Sequence, residues 1–394
     1  MAVALTLYNT PTRVLFGSGA TSAIVEELAP YKVKKILVHY GSERIKKSGL
    51  LDKIVAPIIE AGIQVFYLSG VVSNPRLELA KEGIAICKEN DIDFCLAIGG
   101  GSVIDSAKCI CYGAKYEGEV WDFFDRTAVP VESLPLGTVL TIAAAGSEMS
   151  NSCVITNWAV NEKRGCASDL SRPKFSILDP EFTYTLPLYE TSAGTTDIMM
   201  HTLERYFAQG ENFSFTNEIS FTLIKEVMKA GKVLVEDLQN PEARAVLMWA
   251  SSLSHNGLTN MGNTSRGDWA SHALEHELSG YFDVLHGAGL AAIWPAWARY
   301  ISAASPTKMA ALGKALFDID LTDESLAASA TIDKMEDFFR SIKMPTRISQ
   351  LGITLDEETI NTLAESATFY GKRTVGAALV LGKEDIVKIF NLAK

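Results

Sequence analysis

The first half of the chain alternates strand-like and helix-like segments, and this alternation constrains the fold more than any other feature. The strand-like segments, rich in apolar and β-branched residues, are 34–41, 63–71, 93–101, 135–142 and 174–179. Stretches with helical periodicity separate the first four of them, at about 49–61, 75–90 and 102–114. Such alternation predicts a parallel sheet with helices on its faces. After about Leu188 helical periodicity continues with few strand signals. The prediction is an α/β domain over 1–187 and an all-helical domain over 188–394.

Length and charge narrow the class of protein. A chain of 394 residues is too long for one hydrophobic core, which agrees with two domains. The formal net charge of −11 argues against nucleic acid as a partner, because phosphate binding needs a basic patch. No run of about 18 consecutive apolar residues predicts a membrane span, and the N-terminus lacks the pattern of a signal peptide. The six cysteines lie in apolar segments of the first half, as expected of reduced thiols in a cytoplasmic protein.

The segment GGGSVIDSAK, residues 99–108, follows the third strand-like segment and opens a helix-like one. Glycines at such a junction let the backbone approach a ligand closely, and the helix N-terminus favours phosphate. A tight strand-to-helix turn would use the same glycines without any ligand. Position at the carboxyl end of a parallel strand, where open α/β sheets bind ligands, favours phosphate. The predicted contacts are Gly99, Gly100, Gly101 and Ser102.

Five of the six histidines fall in the helical half, and they suggest a metal site. DIMMH places Asp197 and His201 four residues apart, on one face of a helix. HALEHELSGYFDVLH then supplies further histidines within 15 residues. Core histidines with internal hydrogen bonds are the simpler interpretation of any single one, but not of the cluster. Three imidazoles and one carboxylate suit Zn(II) or Fe(II). The predicted ligands are Asp197, His201, His272 and His286.

A zinc peptidase is the alternative interpretation of the same region. His272, Glu275 and His276 fit the H-x-x-E-H pattern, in which both histidines bind zinc and the glutamate activates water. The pattern is short, and it leaves both GGGSVIDSAK and the Asp197–His201 pair without a role. A nucleotide-dependent metalloenzyme is therefore preferred.

Together these motifs resemble the iron-containing (group III) alcohol dehydrogenases over essentially the whole chain. NTPTRVLFGSGA (9–20) looks like the opening β-hairpin of that family, GGGSVIDSAK like its pyrophosphate loop, and PLGTVLTIAAAGSEMS (135–150) like its nicotinamide segment. LDPEFTYTLP with AGTTDIMMHTLE, and then HALEHELSGYFDVLHGAG, match the two metal-bearing regions in order. The pattern is most like the branch of butanol dehydrogenases and aldehyde reductases.

The resemblance implies a fold and roles for particular residues. It implies a Rossmann-like dinucleotide-binding domain followed by a helical metal-binding domain, with the four ligands named above. His276, one turn beyond His272, matches a non-ligand histidine near the substrate and is a candidate proton relay. Further positions matching cofactor contacts are Asn74, Asp105, Thr138, Thr141, Ser147, Ser150 and Lys163.

The same resemblance implies a choice of cofactor. NAD-preferring members carry an aspartate after the second strand, where this chain has Gly41 and Ser42. The missing carboxylate removes repulsion of a 2′-phosphate, so NADP(H) is expected over NAD(H), although Glu43 is a contrary charge. The implied activity is NADPH-dependent reduction of aldehydes to primary alcohols with one divalent metal, Fe(II) or Zn(II), in a homodimer. A glycerol-type polyol dehydrogenase is a further alternative, and the sequence does not identify the physiological alcohol.

Overall fold

The computed structural model describes residues 3–41, 43–210 and 212–394, so Ser42 lies outside the described residues. The chain divides into two compact units. Asn9–Thr185 forms an α/β unit, and Leu186–Lys394 forms a helical unit that also includes the segment ending at Tyr8. The sequence assigns that first segment to the α/β domain, and the structure differs there. Backbone hydrogen bonding explains the difference, because the amide of Ala4 donates to the carbonyl oxygen of Gly262 in the helical unit.

The α/β unit contains one six-stranded parallel sheet and a separate two-stranded hairpin. The sheet strands are β1 (Arg13–Phe16), β2 (Lys35–Tyr40), β3 (Gln64–Leu68), β4 (Phe94–Gly99), β5 (Leu136–Leu140) and β8 (Phe175–Leu178). Their order across the sheet is β1-β8-β5-β4-β2-β3. The hairpin strands are β6 (Ser152–Asn157) and β7 (Glu162–Ala167). The helices are α1 (Ile24–Leu28), α2 (Arg44–Lys47), α3 (Leu50–Glu60), α4 (Leu77–Glu89) and α5 (Gly101–Gly113).

The predicted parallel sheet is confirmed, and two details of the α/β unit differ from expectation. The opening β-hairpin that the resemblance implies is wrong, since β1 instead pairs in parallel with β8. The antiparallel β6–β7 pair is absent from the prediction. Its strands, SCVITN and EKRGCA, contain too many polar residues to stand out as strand-like runs.

The core of the α/β unit lies beneath the central strands. The side chains of Phe94 on β4 and Phe175 on β8 are fully buried and stack with ring centroids 5.9 Å apart. Every residue of β4, β5 and β8 is buried, as expected for parallel strands covered on both faces. The carboxyl ends of these strands are therefore held in place by a closely packed core.

The helical unit consists of nine described α-helices, and the predicted helical C-terminal part is confirmed. They are α6 (Leu188–Tyr206), α7 (Ser214–Glu236), α8 (Pro241–His255), α9 (Ala270–Phe282), α10 (His286–Ala304), α11 (Thr307–Phe317), α12 (Glu324–Ser341), α13 (Glu357–Ala367) and α14 (Lys383–Ala393). Among the described residues, none of the helices combines the length and the hydropathy needed to cross a membrane.

Candidate active site

Helix α6 carries the first two predicted ligands in its buried middle. Asp197 and His201 are both 3% exposed, and His201 Nδ1 lies 3.5 Å from Asp197 Oδ1. The three residues between them, Ile198–Met200, are completely buried. The apolar residues of DIMMH are thus packed in the core, and the two polar side chains project from one face of the helix.

Helices α9 and α10 bring two more histidines to the same aspartate. Nε2 of His272 lies 3.8 Å from Asp197 Oδ1, and Nε2 of His286 lies 3.7 Å from it. The ligand atoms of Asp197, His272 and His286 all lie within 4.8 Å of one another. The imidazole of His201 stacks on that of His272 with ring centroids 4.8 Å apart. The structure therefore brings together the four residues that the sequence singles out.

Three polar atoms of this cluster are buried without a hydrogen-bond partner among the described residues. They are Asp197 Oδ1, His201 Nδ1 and His272 Nε2. An unsatisfied buried polar atom costs about 1–3 kcal/mol, so three in one place require an explanation. A divalent cation would accept lone pairs from these carboxylate and imidazole atoms, and one carboxylate with imidazoles suits zinc or iron(II). The residues present therefore fit a metal.

Two buried glutamates orient the histidines. Nδ1 of His272 lies 3.0 Å from Glu204 Oε1 and must donate, because a carboxylate can only accept. Nδ1 of His286 donates in the same way to Glu275 Oε2. Each contact fixes the tautomer that leaves Nε2 with a lone pair, as carboxylate partners do for metal-binding histidines.

Sequence reasoning did not assign either carboxylate the role of orienting a histidine, and it considered Glu275 only as the water-activating residue of a peptidase, although helical spacing offered a signal. Glu204 lies seven residues after Asp197 and therefore on the same face of α6, and Glu275 lies three residues after His272.

Burial lowers the pKa of His272, but Asp197 and Glu204 raise it to about 9. Burial, reinforced by His255, lowers the pKa of His201.

The environment of Glu275 argues against the peptidase alternative. Its carboxylate is completely buried and accepts hydrogen bonds from Ser279 Oγ and His286 Nδ1. A peptidase glutamate must instead be able to take a proton from water.

His276 is half-buried, with its ring centroid 5.6 Å from that of His286 and 6.4 Å from that of His272.

In the α/β unit, the glycine run joins β4 to α5 and packs against the segment that follows β5. A Cβ atom on Gly100 would lie 2.7 Å from Cβ of Ile142, and one on Gly101 would lie 2.8 Å from Cβ of Ala145. Both distances are shorter than van der Waals contact, so this approach needs glycine. Thr141 joins the two segments by donating its amide to the carbonyl of Gly99. Ser102, in the first turn of α5, is half-buried.

Several residues predicted to contact the cofactor are bonded to one another within the α/β unit. Ser147 Oγ donates to Asp105 Oδ1 at 2.5 Å, and the amide of Val154 donates to Asp105 Oδ2 at 2.9 Å. Thr138 is completely buried and donates to Ser176 Oγ at 2.8 Å. In this structure Asp105 and Thr138 therefore connect the segments around the glycine run through hydrogen bonds.

Four other predicted contacts lie near the ends of strands or between elements. Lys163 Nζ donates to Asn74 Oδ1 at 2.9 Å, and both side chains are buried. Asn74 adopts a left-handed conformation with φ of 54°, which its short polar side chain tolerates. Gly41 directly follows β2, and its carbonyl accepts from the amide of Gly70. Ser150 is 1% exposed.

Comparison with known proteins finds family models that match each of the two units. Residues 11–180 match the family model "Iron-containing alcohol dehydrogenase", and residues 191–393 match "Fe-containing alcohol dehydrogenase family, C-terminal". The chain is 41% identical to the probable NADH-dependent butanol dehydrogenase 1 of Bacillus subtilis, covering 97% of each chain. It is 30% identical to the NADPH-dependent aldehyde reductase YqhD of Escherichia coli, covering 93% of this chain and 94% of that protein.

Solved structures give the same result. The crystal structure of NADH-dependent butanol dehydrogenase A from Thermotoga maritima superimposes with a TM-score of 0.95 at 34% identity, over 99% of each chain. The family models cover nearly the whole sequence, and their two parts correspond to the units that carry the glycine run and the histidine cluster. The chain therefore belongs to the iron-containing alcohol dehydrogenase family.

Proposed function

We propose that this protein catalyses the reversible reduction of aldehydes to primary alcohols, using a reduced nicotinamide nucleotide and one divalent metal ion. Membership of the family makes it a metal-dependent oxidoreductase of alcohols and aldehydes. The observation that carries the proposal is the buried cluster on α6, α9 and α10, where Asp197 and His272 present atoms that have no hydrogen-bond partner among the described residues. A bound cation would satisfy these atoms.

The proposed ligands of Fe(II) or Zn(II) are Asp197, His201, His272 and His286. A bound metal ion would supply Lewis acidity toward the carbonyl oxygen, and a bound reduced nicotinamide would supply the hydride. The chain itself orients the ligands through Glu204 and Glu275. Burial of the donor set excludes water and strengthens its electrostatic effect.

We assign the proton transfer of the reaction to His276. It lies one turn from His272 on α9 and is half-buried, so its ring is held beside the cluster and retains contact with solvent. An imidazole titrates close to neutral pH and can pass a proton to the alcohol oxygen. The same proposal assigns contacts with the nucleotide to the glycine run, Ser102, Thr141, Ser147, Ser150, Asn74 and Lys163, with Asp105 and Thr138 supporting them.

NADPH is the proposed cofactor, on the strength of Gly41 after β2. No carboxylate stands at that residue to repel a 2′-phosphate. Relatives carry both names: the butanol dehydrogenase at 41% identity is called NADH-dependent, and the aldehyde reductase at 30% is called NADPH-dependent. Glu43 is exposed two residues beyond Gly41, and its charge opposes a phosphate. Replacing Glu43→Gln should therefore raise the ratio of kcat/KM for NADPH to that for NADH.

A homodimer in the cytoplasm completes the proposal. In the first segment Ala4 and Thr6 bond to Gly262, and this turns the side chains of Leu5 and Leu7 outward, 103% and 86% exposed. Burying this apolar strip against a second copy would remove it from water. Sedimentation of a Leu5→Lys, Leu7→Lys variant should show dissociation of the dimer.

All six cysteines are buried thiols, as a reducing compartment such as the cytoplasm would keep them.

The principal test follows the loss of reduced-nicotinamide absorbance with butanal, using protein stripped of metal and reloaded with Fe(II) or Zn(II). Turnover should require the metal and be faster with NADPH than with NADH. Faster turnover with NADH would overturn only the cofactor preference. Absence of turnover with every combination of metal, nucleotide and simple aldehyde would overturn the proposed reaction.

A further inference from the structure

Lys108, the last residue of GGGSVIDSAK, is a charged side chain that no part of the proposed reaction uses. It lies in the middle of α5 and is completely buried. Lysine is almost never fully buried unless its ammonium is paired, because desolvation of the charge is costly. The burial lowers the pKa of Lys108, whereas Asp105 raises it. Its surroundings must therefore compensate for the loss of water.

Backbone carbonyls of one short segment provide that compensation. Lys108 Nζ donates to the carbonyl oxygens of Ser147, Ser150 and Ser152, at 2.8, 3.1 and 2.7 Å. The three N–H groups of an ammonium match these three acceptors in number. The hydroxyls of Ser147 and Ser150 lie at 2.9 and 3.3 Å from the same nitrogen. Segment 147–152 thus turns around the ammonium of Lys108.

Asp105, one turn earlier on α5, holds the same segment from a second point. Its carboxylate accepts from Ser147 Oγ and from the amide of Val154, as described above. Residues three apart on a helix share a face, so Asp105 and Lys108 together hold the segment against α5. The opposite charges of these two side chains also compensate each other within the domain.

The residues just before segment 147–152, at 142–145, form the surface against which the glycine run packs. Ile142 and Ala145 approach Gly100 and Gly101 so closely that no Cβ atom fits between them. The segment that leaves β5 therefore contacts the glycine run at one end and Lys108 at the other. A change in the path of 147–152 would move the neighbours of the glycine run, at the sheet edge where parallel α/β proteins bind ligands.

We propose that Lys108 is a positioning residue for the nicotinamide nucleotide: its ammonium shapes segment 147–152, so that this segment and the glycine run together form the nucleotide-binding surface. This role rests on the proposed function, because it presumes that the α/β unit binds NADPH or NADH. Lys108 itself does not touch the nucleotide. It acts through the three carbonyl groups that it gathers.

The test compares Lys108→Met with Ile110→Ala in the metal-loaded enzyme. Methionine has a similar length but no donor, whereas Ile110 is a buried residue of the same helix that packs against Gly83 and has no polar side-chain atom to bind the carbonyls of segment 147–152. Both variants should lower Tm. Only Lys108→Met should raise the Kd for NADPH, measured by fluorescence titration, by about tenfold or more, as expected when about 1.4 kcal/mol of binding is lost. KM for the nucleotide should rise more than kcat falls.

A second variant keeps the proposal testable if Lys108→Met does not fold. Lys108→Gln keeps two N–H donors without the charge, and its Kd should lie between those of the wild type and Lys108→Met. Amide hydrogen exchange of 147–154, without nucleotide, should be faster in the Lys108 variants than in Ile110→Ala. Lys115→Met, an exposed lysine just beyond α5, should behave as the wild type.

Three results would overturn the positioning role. One is a wild-type Kd in the Lys108 variants, and another is an equal loss of affinity in Ile110→Ala at a matched loss of Tm. The third is unchanged amide exchange in 147–154. A wild-type protein that binds neither NADPH nor NADH would instead overturn the proposed function, and that failure would appear before any variant is made.

Discussion

The buried polar groups of the histidine cluster and those around the glycine run differ in where their hydrogen bonds go. In the helical unit, Asp197 Oδ1 and His272 Nε2 are buried and have no partner among the described residues. In the α/β unit, Asp105 and Lys108 both form hydrogen bonds with Ser147. Each of them also binds backbone groups of the residues that follow Ser147. The atoms of the first group are arranged as the donors of a cation site, whereas Asp105 and Lys108 bind groups of the protein itself.

This difference suggests that the two units depend on their ligands to different degrees. Unsatisfied buried atoms make the histidine cluster costly until a cation neutralises it, so metal binding should contribute directly to the stability of the helical unit. In the α/β unit the carboxylate of Asp105 and the ammonium of Lys108 are hydrogen-bonded within the protein, so the segment that they hold should reach its final structure without the nucleotide. The nucleotide then binds a preformed surface.

The largest effect should come from removing one of the carboxylates that orient the cluster. In Glu204→Gln the side chain keeps its size, but an amide cannot accept from both His272 Nδ1 and the amide of Trp269 at once. We expect metal affinity to fall by about 10- to 100-fold, as for other carboxylate partners of metal-bound histidines. Competition titration of zinc against a chelating dye would measure this.

The matched control for that variant is Glu226→Gln, an exposed change on α7. It should leave the metal affinity unchanged, and both variants should bind the nucleotide as the wild type does. If Glu204→Gln bound zinc with wild-type affinity, the idea that the cluster depends on its carboxylate partner would be wrong.

A smaller effect should follow from disturbing the preformed surface in the α/β unit. Gly100 has φ of −93°, which any residue can adopt, so Gly100→Ala would act only through the contact of its Cβ with Ile142. Overpacking of this kind costs about 1–3 kcal/mol, and we expect KM for the nucleotide to rise about tenfold. Metal content, measured by atomic emission, should stay at the wild-type level.

Two further variants isolate the cause. Gly165→Ala adds a Cβ atom whose nearest neighbour lies 3.7 Å away, so it should have no effect on KM. Adding Ile142→Gly to Gly100→Ala removes the Cβ atom of residue 142 with which the new methyl group clashes, and it should restore most of the affinity. Failure of that double variant to recover would show that Gly100 matters for another reason.

The sequence predicted the parts of the molecule that follow from local pattern. Apolar strands alternating with helices indicated the parallel sheet, and helical spacing placed Asp197 beside His201. The β6–β7 hairpin was missed because its strands are too polar, and β1 was misjudged because its partner, β8, lies far along the chain. Lys108 was not singled out, since its role depends on where segment 147–152 passes, and no periodicity encodes that.

The smallest effect concerns His39, a histidine of the α/β unit whose ring is satisfied within the protein. Its Nδ1 donates to the carbonyl of Leu68 at 3.0 Å, and its Nε2 accepts from Ser106 Oγ at 2.9 Å. Burial lowers the pKa of His39 from 6.5 to about 4, so the folded ring stays neutral while the unfolded chain takes up a proton. Lowering the pH from 6.5 to 4 should therefore destabilise the unit by up to about 3 kcal/mol.

Amide hydrogen exchange of the buried β4 strand, measured between pH 7 and pH 4.5, would give the free energy of opening of this unit in the wild type and in His39→Gln. The variant should be less stable at neutral pH but lose less stability as the pH falls, because glutamine takes up no proton. Equal pH dependence in both proteins would contradict this account. A difference would show that the neutral ring of His39 stabilises the α/β unit as an internal hydrogen-bond partner, which is the opposite of the role proposed for the histidines of α6, α9 and α10.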